Sequence, residues 1–154
     1  MIRLATPADF RAIDSLILNK AKSFRAAGKT QWGKYLEPSR TEFVRHDVTN
    51  GTVYVYEENG TIFGSVSLIP PTSWDHNLWD DADAAVYLHR LVVDATMKGR
   101  GVGEQLMRHA LKETDGTIRL DCVATNLFLN RYYPQFGFTY VGERDGFSLF
   151  TKEG

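Results

Sequence analysis

Cysteine is nearly absent from this 154-residue chain: Cys122 stands alone, which excludes an internal disulfide and any zinc site built on several thiolates. No run approaches the roughly 20 apolar residues of a membrane span, and the opening MIRLATPADF lacks the apolar stretch of a secretory signal. An excess of one charge is missing as well. With 18 Lys and Arg against 19 Asp and Glu the formal net charge is -1, so the basic footprint of a general nucleic-acid binder is not there. These absences predict a cytoplasmic chain with a reduced thiol, partnered by neither nucleic acid nor membrane. The hydrophobic fraction of 43% and charged fraction of 24% are those of a folded globular protein. The length predicts one domain over residues 1–154, burying about two-thirds of the surface its unfolded chain exposes around one core.

Patterning divides the chain into short elements. Ile2 and Leu4 alternate as a strand, and TPADF supplies Thr6 as a cap with Pro7 at the first helical position, ahead of a helical stripe of Phe10, Ile13, Ile17 and Ala21. SRTE at 39–42 reads as a capping box for a second helix ending at Asn50-Gly51. TVYVYEENGTIFGSVSLI predicts a hairpin turning at Glu58, Asn59 and Gly60, and TSWDHNLWDDADA, acidic and without a period, predicts a loop. AVYLHRLVV is the most strand-like run. After it come a glycine-rich stretch, a helix from Val102 to Asp115-Gly116, the strand TIRLDCV, a helix NLFLNRYYPQF opened by Asn126, and a hairpin turning at Asp145-Gly146. The predicted order is β-α-α-β-β-β-α-β-α-β-β, with no repeat or linker.

The glycine-rich stretch, MKGRGVG at 97–103, places Gly99, Gly101 and Gly103 between a strand and a helix, where several backbone amides and a helix N-terminus can converge on an anion. The mononucleotide P-loop requires Gly-Lys-Ser/Thr, but Gly103 is followed by Glu104 and Gln105. The dinucleotide fingerprint requires a third glycine where Glu104 or Leu106 stands. Both are excluded.

A third pattern fits. Val93 and DATMKGRGVGEQLMRHAL resemble the acyl-coenzyme-A motif of the GNAT superfamily of N-acetyltransferases, Arg/Gln-x-x-Gly-x-Gly/Ala, with Lys98, Gly101 and Gly103 at the marked positions and Lys98 departing from the usual Arg or Gln. NLFLNRYYPQFGF is similar to the family's later motif, with Asn126, Tyr133, Gly137 and Phe138 in place and Pro134 where Glu is common. The resemblance covers nearly the whole chain. It implies an α/β (α+β) GNAT fold: a central mixed, mostly antiparallel sheet of six to seven strands flanked by about four helices.

It also implies transfer of an acetyl group from acetyl-CoA to a primary amine of a small molecule or peptide by direct attack, with no metal. The amides of Gly99, Arg100, Gly101, Val102, Gly103 and Glu104 would cradle the pyrophosphate, with the charges of Lys98 and Arg100 in support. The backbone of Leu91, Val92 and Val93 would pair with the pantetheine arm, the Val93 amide facing the thioester oxygen. Tyr133 is the expected acid for the departing thiolate, with Tyr132 its substitute, while Asn126 caps its helix, touches the cofactor, or does both. An alkyl amine near pKa 10.4 is neutral in fewer than about one molecule in a thousand at pH 7, so a base helps; His89, on the motif strand, is either that base or a packed strand histidine.

For the acceptor, Trp32, Tyr35, Trp74 and Trp79 are expected to line a pocket, and Asp75, Asp80, Asp81 and Asp83 to favour a cation; the alternative is a solvated acidic loop with aromatic anchors. Cys122 is assigned no chemistry. A homodimer is compatible with this picture, and the rival readings are an idle CoA sensor or an interaction module.

Overall fold

The computed structural model describes residues 1–154. The chain runs β1 (Ile2–Leu4), α1 (Phe10–Ala26), α2 (Arg40–Asn50), β2 (Thr52–Glu58), β3 (Thr61–Ile69), α3 (Ser73–Leu78), β4 (Val86–Val93), α4 (Val102–Glu113), β5 (Ile118–Val123), α5 (Leu127–Tyr132), β6 (Thr139–Arg144) and β7 (Phe147–Lys152), joined in places by 3₁₀ turns. One seven-stranded sheet has the order β1-β2-β3-β4-β5-β7-β6, antiparallel except between β4 and β5. The mixed sheet expected from the sequence is present, with five helices rather than about four.

Both hairpins turn where expected: Asn59 and Gly60 (φ 51° and 81°) and Asp145 and Gly146 (φ 53° and 85°) adopt the left-handed pair whose twist matches the flanking strands. Three local expectations are corrected. The stretch expected as a loop contains α3, because the Thr72 amide and hydroxyl both donate to Asp75 Oδ2, at 2.9 and 3.1 Å, and so start a helix too short to show a period. The capping box at Ser39 does not form. Ser39 is already helical (φ -61°, ψ -13°), whereas a capping side chain reaches its amide from an extended residue. The helix opened by Asn126 stops at Tyr132, and Tyr133–Phe136 tighten into a 3₁₀ turn around Pro134, which has no N–H to continue the helix.

The sheet divides the buried side chains between its faces. Against one face, α4 packs Val102, Leu106, Met107 and Ala110 onto Val66, Leu68, Leu88, Leu120 and Phe150, and Tyr133 and Phe136 join them. Against the other, α1 and α2 bury Ile13, Leu16, Ile17 and Val44 on Val53, Val55 and Val92, while Leu78 and Trp79 cover Tyr87 and Leu149 farther along.

Two irregularities at the sheet's centre make room for a site. β4 and β5 pair only at Val86 with Ile118 and Tyr87 with Arg119. Beyond that β5 stays with β7 and β4 with β3, so Leu88–Val93 and Leu120–Val123 diverge and leave a slot through the sheet. On its other side β4 carries a bulge: Ser67 pairs with His89 and Ser65 with Val92, so Val66 faces both Arg90 and Leu91. The extra residue bends the strand and re-aims its side chains. Arg90 takes a left-handed φ of 52° there, a strained conformation for a residue with a Cβ.

Candidate active site

One wall of the slot is backbone. The Asp94 N–H donates to the Phe63 carbonyl on β3 at 2.7 Å, so by alternation along the strand the Val93 N–H points the opposite way, into the slot. Past Asp94 a 3₁₀ turn at Ala95–Met97 leads into the glycine stretch, where Gly99 and Gly101 hold φ 82° and 72° and a Cβ on either would meet only open space. A Cβ on Gly103 would lie 3.6 Å from Val93 Cγ2 and 3.7 Å from the Tyr132 hydroxyl, so a side chain there would fill the hollow between α4, β4 and α5. The amides of Gly99 and Gly101 have no acceptor in the chain, and those of Val102, Gly103 and Glu104 belong to the first helical turn, which leaves them free. These five donors and the helix N-terminus form a concave anion cradle.

Two expected members behave differently. The Arg100 amide is taken by the Met97 carbonyl at 3.1 Å, and its guanidinium pairs with Glu58 at 2.8 Å, so Arg100 offers the cradle neither. Lys98, exposed and without an ion pair, is the free cation beside it. Leu91 also departs from expectation: its carbonyl already accepts from Lys20 Nζ at 3.0 Å. Asn126 caps α5, its Oδ1 accepting from the Leu129 amide at 3.1 Å.

Tyr133 belongs to the cluster on the α4 face, with its ring against Phe138 and Phe150. It is 8% exposed, and its hydroxyl makes no hydrogen bond in the chain yet is not sealed from solvent. Burial, reinforced by Cys122, Tyr132 and Asp121, pushes its pKa well above the ordinary tyrosine range, so it remains a proton donor at neutral pH. Tyr132 is farther out, stacked on Phe128 with its hydroxyl toward Gly103.

The opposite face of the slot is built from side chains. His89 Nε2 lies 3.0 Å from Asp75 Oδ1, and Trp74 Nε1 donates to Asp121 Oδ2 at 3.1 Å. Ligand-type atoms of Asp75, His89 and Asp121 lie within 4.8 Å of one another. Asp75 is fully buried; burial alone would raise its pKa, but the hydrogen bond and charge of His89 and the two bonds from Thr72 outweigh it and hold the carboxyl below its ordinary value. Asp121 goes the other way: burial above all, helped by the Asp75 charge, pushes it up against the pull of His89, Trp74 and Lys34. A carboxylate only accepts, so the Asp75 bond requires a proton on Nε2, and in the neutral imidazole Nδ1 is then the nitrogen with the lone pair.

Of the residues expected to line an acceptor pocket, Trp32 and Trp74 are partly exposed around this face. Tyr35 is buried, its hydroxyl accepting from Arg90 Nη1 at 3.1 Å. Trp79 is a core residue under the Arg119 guanidinium, 4.4 Å from its ring centre. The acidic loop divides similarly. Asp75 alone turns inward, whereas Asp80 pairs with Arg144, Asp81 with Arg119, and Asp83 lies 3.5 Å from His76. Those three carboxylates are exposed and directed to neighbours away from the slot.

Several residues of the site escaped the sequence reading. Arg90 and Asp47 form a buried two-bond ion pair, Nε to Oδ2 at 2.6 Å, that ties the β4 bulge to α2 and, through Tyr35, to the turn at Gly33–Leu36. Lys20, from α1, sets its ammonium 4.6 Å over the Trp32 ring, and burial pulls its pKa down to about 8. Asp121 completes the set. The signal available was the pair His89-Arg90 inside an otherwise apolar strand, which demands buried partners.

Comparison with known proteins agrees with this architecture. The model of the Acetyltransferase (GNAT) family matches residues 19–138. A Bacillus subtilis (strain 168) protein described as uncharacterized N-acetyltransferase YesJ is 31% identical over 155 residues, covering 94% of this chain and 85% of that protein. The crystal structure of a GNAT-family acetyltransferase from Listeria monocytogenes 4b F2365 superposes with a TM-score of 0.79 at 28% identity, covering 100% of this chain and 94% of that one. The PaiA N-acetyltransferase of Thermoplasma acidophilum, solved in complex with coenzyme A, shares the fold with a TM-score of 0.73 at 13% identity over 100% and 98% of the two chains. The family match across most of the chain, joined to the identity with YesJ, establishes that this protein belongs to the GNAT family of acetyltransferases.

Proposed function

We propose that the chain moves an acetyl group from acetyl-CoA to a primary amine of a small molecule or peptide by direct attack, using no metal. The observation that carries this reading is the slot, which has a backbone anion cradle and a buried tyrosine toward one face of the sheet and a carboxylate-paired histidine on the other. The donor's thioester would then meet the amine within the sheet. The residues present fit the donor: five free amides and Lys98 suit a pyrophosphate, and the slot-facing Val93 N–H suits an amide-rich arm or a thioester oxygen.

In the transfer a C–N bond forms as the C–S bond breaks, the amine losing a proton and the thiolate gaining one. His89, held through Nε2 by Asp75, takes the amine's proton on Nδ1, and Asp121 next to it shares that load. Tyr133 hydrogen-bonds the leaving sulfur and gives up its proton only as thiolate charge develops, since its raised pKa keeps it neutral otherwise. The Tyr132 hydroxyl, near Gly103, serves the phosphate end instead. The reading includes the cytoplasm as location, in keeping with a single buried thiol.

A thermal-shift titration with acetyl-CoA, CoA and ATP in parallel tests it. At 100 times the dissociation constant, either CoA species should stabilise the fold by about 2.7 kcal/mol, a shift of roughly 5 to 10 °C. ATP should give none. No shift with either CoA species would remove the enzyme reading.

A further inference from the structure

The ammonium of Lys34 has an unusual seat. It lies 4.6 Å from the ring centre of Trp74, 5.2 Å from that of Tyr35 and 5.5 Å from that of Phe43, three rings from α3, the turn at Gly33–Leu36 and α2. Each ring is fixed independently of the lysine. Trp74 is bonded to Asp121 and packs edge-on against Phe147 at 4.9 Å, while Tyr35 is held by Arg90 and packs edge-on against Phe43 at 5.5 Å. The Asp121 carboxylate, on the indole's N–H, feels the Lys34 charge. Lys34 is exposed and its side chain makes no hydrogen bond or ion pair, so only the rings and the Asp121 charge hold the ammonium there. The structure therefore contains a preformed cage for an alkylammonium, filled by a side chain that is free to leave.

We infer that this cage is an anchoring subsite for a second ammonium group of the acceptor, and that Lys34 occupies it as a built-in competitor; the inference rests on the acetyltransferase reading of the slot. Aromatic faces and a carboxylate stabilise the charged form of whatever nitrogen they hold. The reacting nitrogen must be neutral. One nitrogen cannot meet both demands, so the caged ammonium and the nucleophile are different amino groups of one molecule. The nucleophile lies beyond the indole, at His89 and Asp121, and the caged group at Lys34. The acceptor class is a molecule with two amino groups on an apolar spacer, such as an alkyl diamine or a lysine with a free α-amine.

The test compares cadaverine with n-pentylamine, of equal carbon number, by calorimetric titration of the full chain with and without saturating CoA and by steady-state acetylation. Wild type should bind cadaverine roughly fivefold to tenfold more tightly than pentylamine. Lys34→Met should tighten cadaverine further by about threefold and raise its kcat/KM to match, leaving unchanged the kcat/KM of pentylamine, whose one nitrogen must sit at His89 to react, while Lys34→Arg, still a cation over the rings, should do neither. Equal affinity for the two amines, with neither changed by Lys34→Met, would overturn the inference. Failure of CoA to bind would instead overturn the acetyltransferase reading, and the cage would still be judged by the titrations made without CoA.

Discussion

The two faces of the slot are specified in different ways. The proposed donor face is mostly main chain: the Val93 N–H, the amides of Gly99, Gly101, Val102, Gly103 and Glu104, and one helix N-terminus. The proposed acceptor face is side chain, assembled by His89 from β4, Asp75 and Trp74 from α3, Asp121 from β5 and Lys34 from the turn before α2. A main-chain site needs only a short local pattern that permits the backbone path. A side-chain site needs partners that the fold gathers from distant positions, and its chemistry can change without altering the path of the strands.

The largest effect expected from breaking this arrangement is at the ion pair that anchors the β4 bulge to α2. Asp47→Ala leaves Arg90 charged, buried and in its strained backbone conformation, which should cost about 3 to 5 kcal/mol in chemical denaturation. A loss below about 1 kcal/mol would mean that the bulge holds its shape without the pair. Next comes Tyr133→Phe, expected to lower kcat by about a hundredfold with the CoA dissociation constant unchanged. Undiminished turnover would remove Tyr133 as the acid and return Tyr132 to consideration.

The main-chain wall of the slot was more legible in the sequence than the side-chain wall, for a physical reason. Gly99 and Gly101 are demanded by backbone geometry within three residues, and the turns at Asn59-Gly60 and Asp145-Gly146 are equally local. The split between β4 and β5 has no sequence mark, because it arises where β5 keeps its pairing with β7. Asp75 was read as one of four equivalent acidic residues. Only the fold distinguishes it from Asp80, Asp81 and Asp83 by burying it against His89. Asp121 and Arg90 find partners 47 and 43 positions away, beyond any periodicity. Trp79, an aromatic of suitable type in a suitable loop, serves the core instead.

Smaller effects sharpen the contrast. Lys20 links the acceptor-side helix α1 to the Leu91 carbonyl, and burial lowers its pKa from 10.5 to about 8. The folded state releases this proton at a lower pH than the unfolded chain. Wild type should therefore gain stability relative to Lys20→Met as pH rises from about 8 to 10.5, by on the order of 1 kcal/mol for a partly exposed group, with the gain complete above that window. Parallel unfolding curves of the two proteins across that range would contradict it. Smallest of all, Arg100→Ala should change the CoA dissociation constant by less than about threefold, since its guanidinium is committed to Glu58; a loss of tenfold or more would show that side chains carry the donor face as well.

The most direct test of the division is the CoA dissociation constant, measured by calorimetry for wild type, Gly103→Val and His89→Gln, with turnover followed in parallel. A valine at 103 fills the hollow between Val93 and Tyr132 and should weaken CoA by at least about tenfold, whereas His89→Gln should bind CoA within about twofold of wild type while kcat falls by about a hundredfold. Unimpaired CoA binding by Gly103→Val, or an equal loss of CoA affinity in His89→Gln, would contradict a main-chain donor face opposed to a side-chain acceptor face.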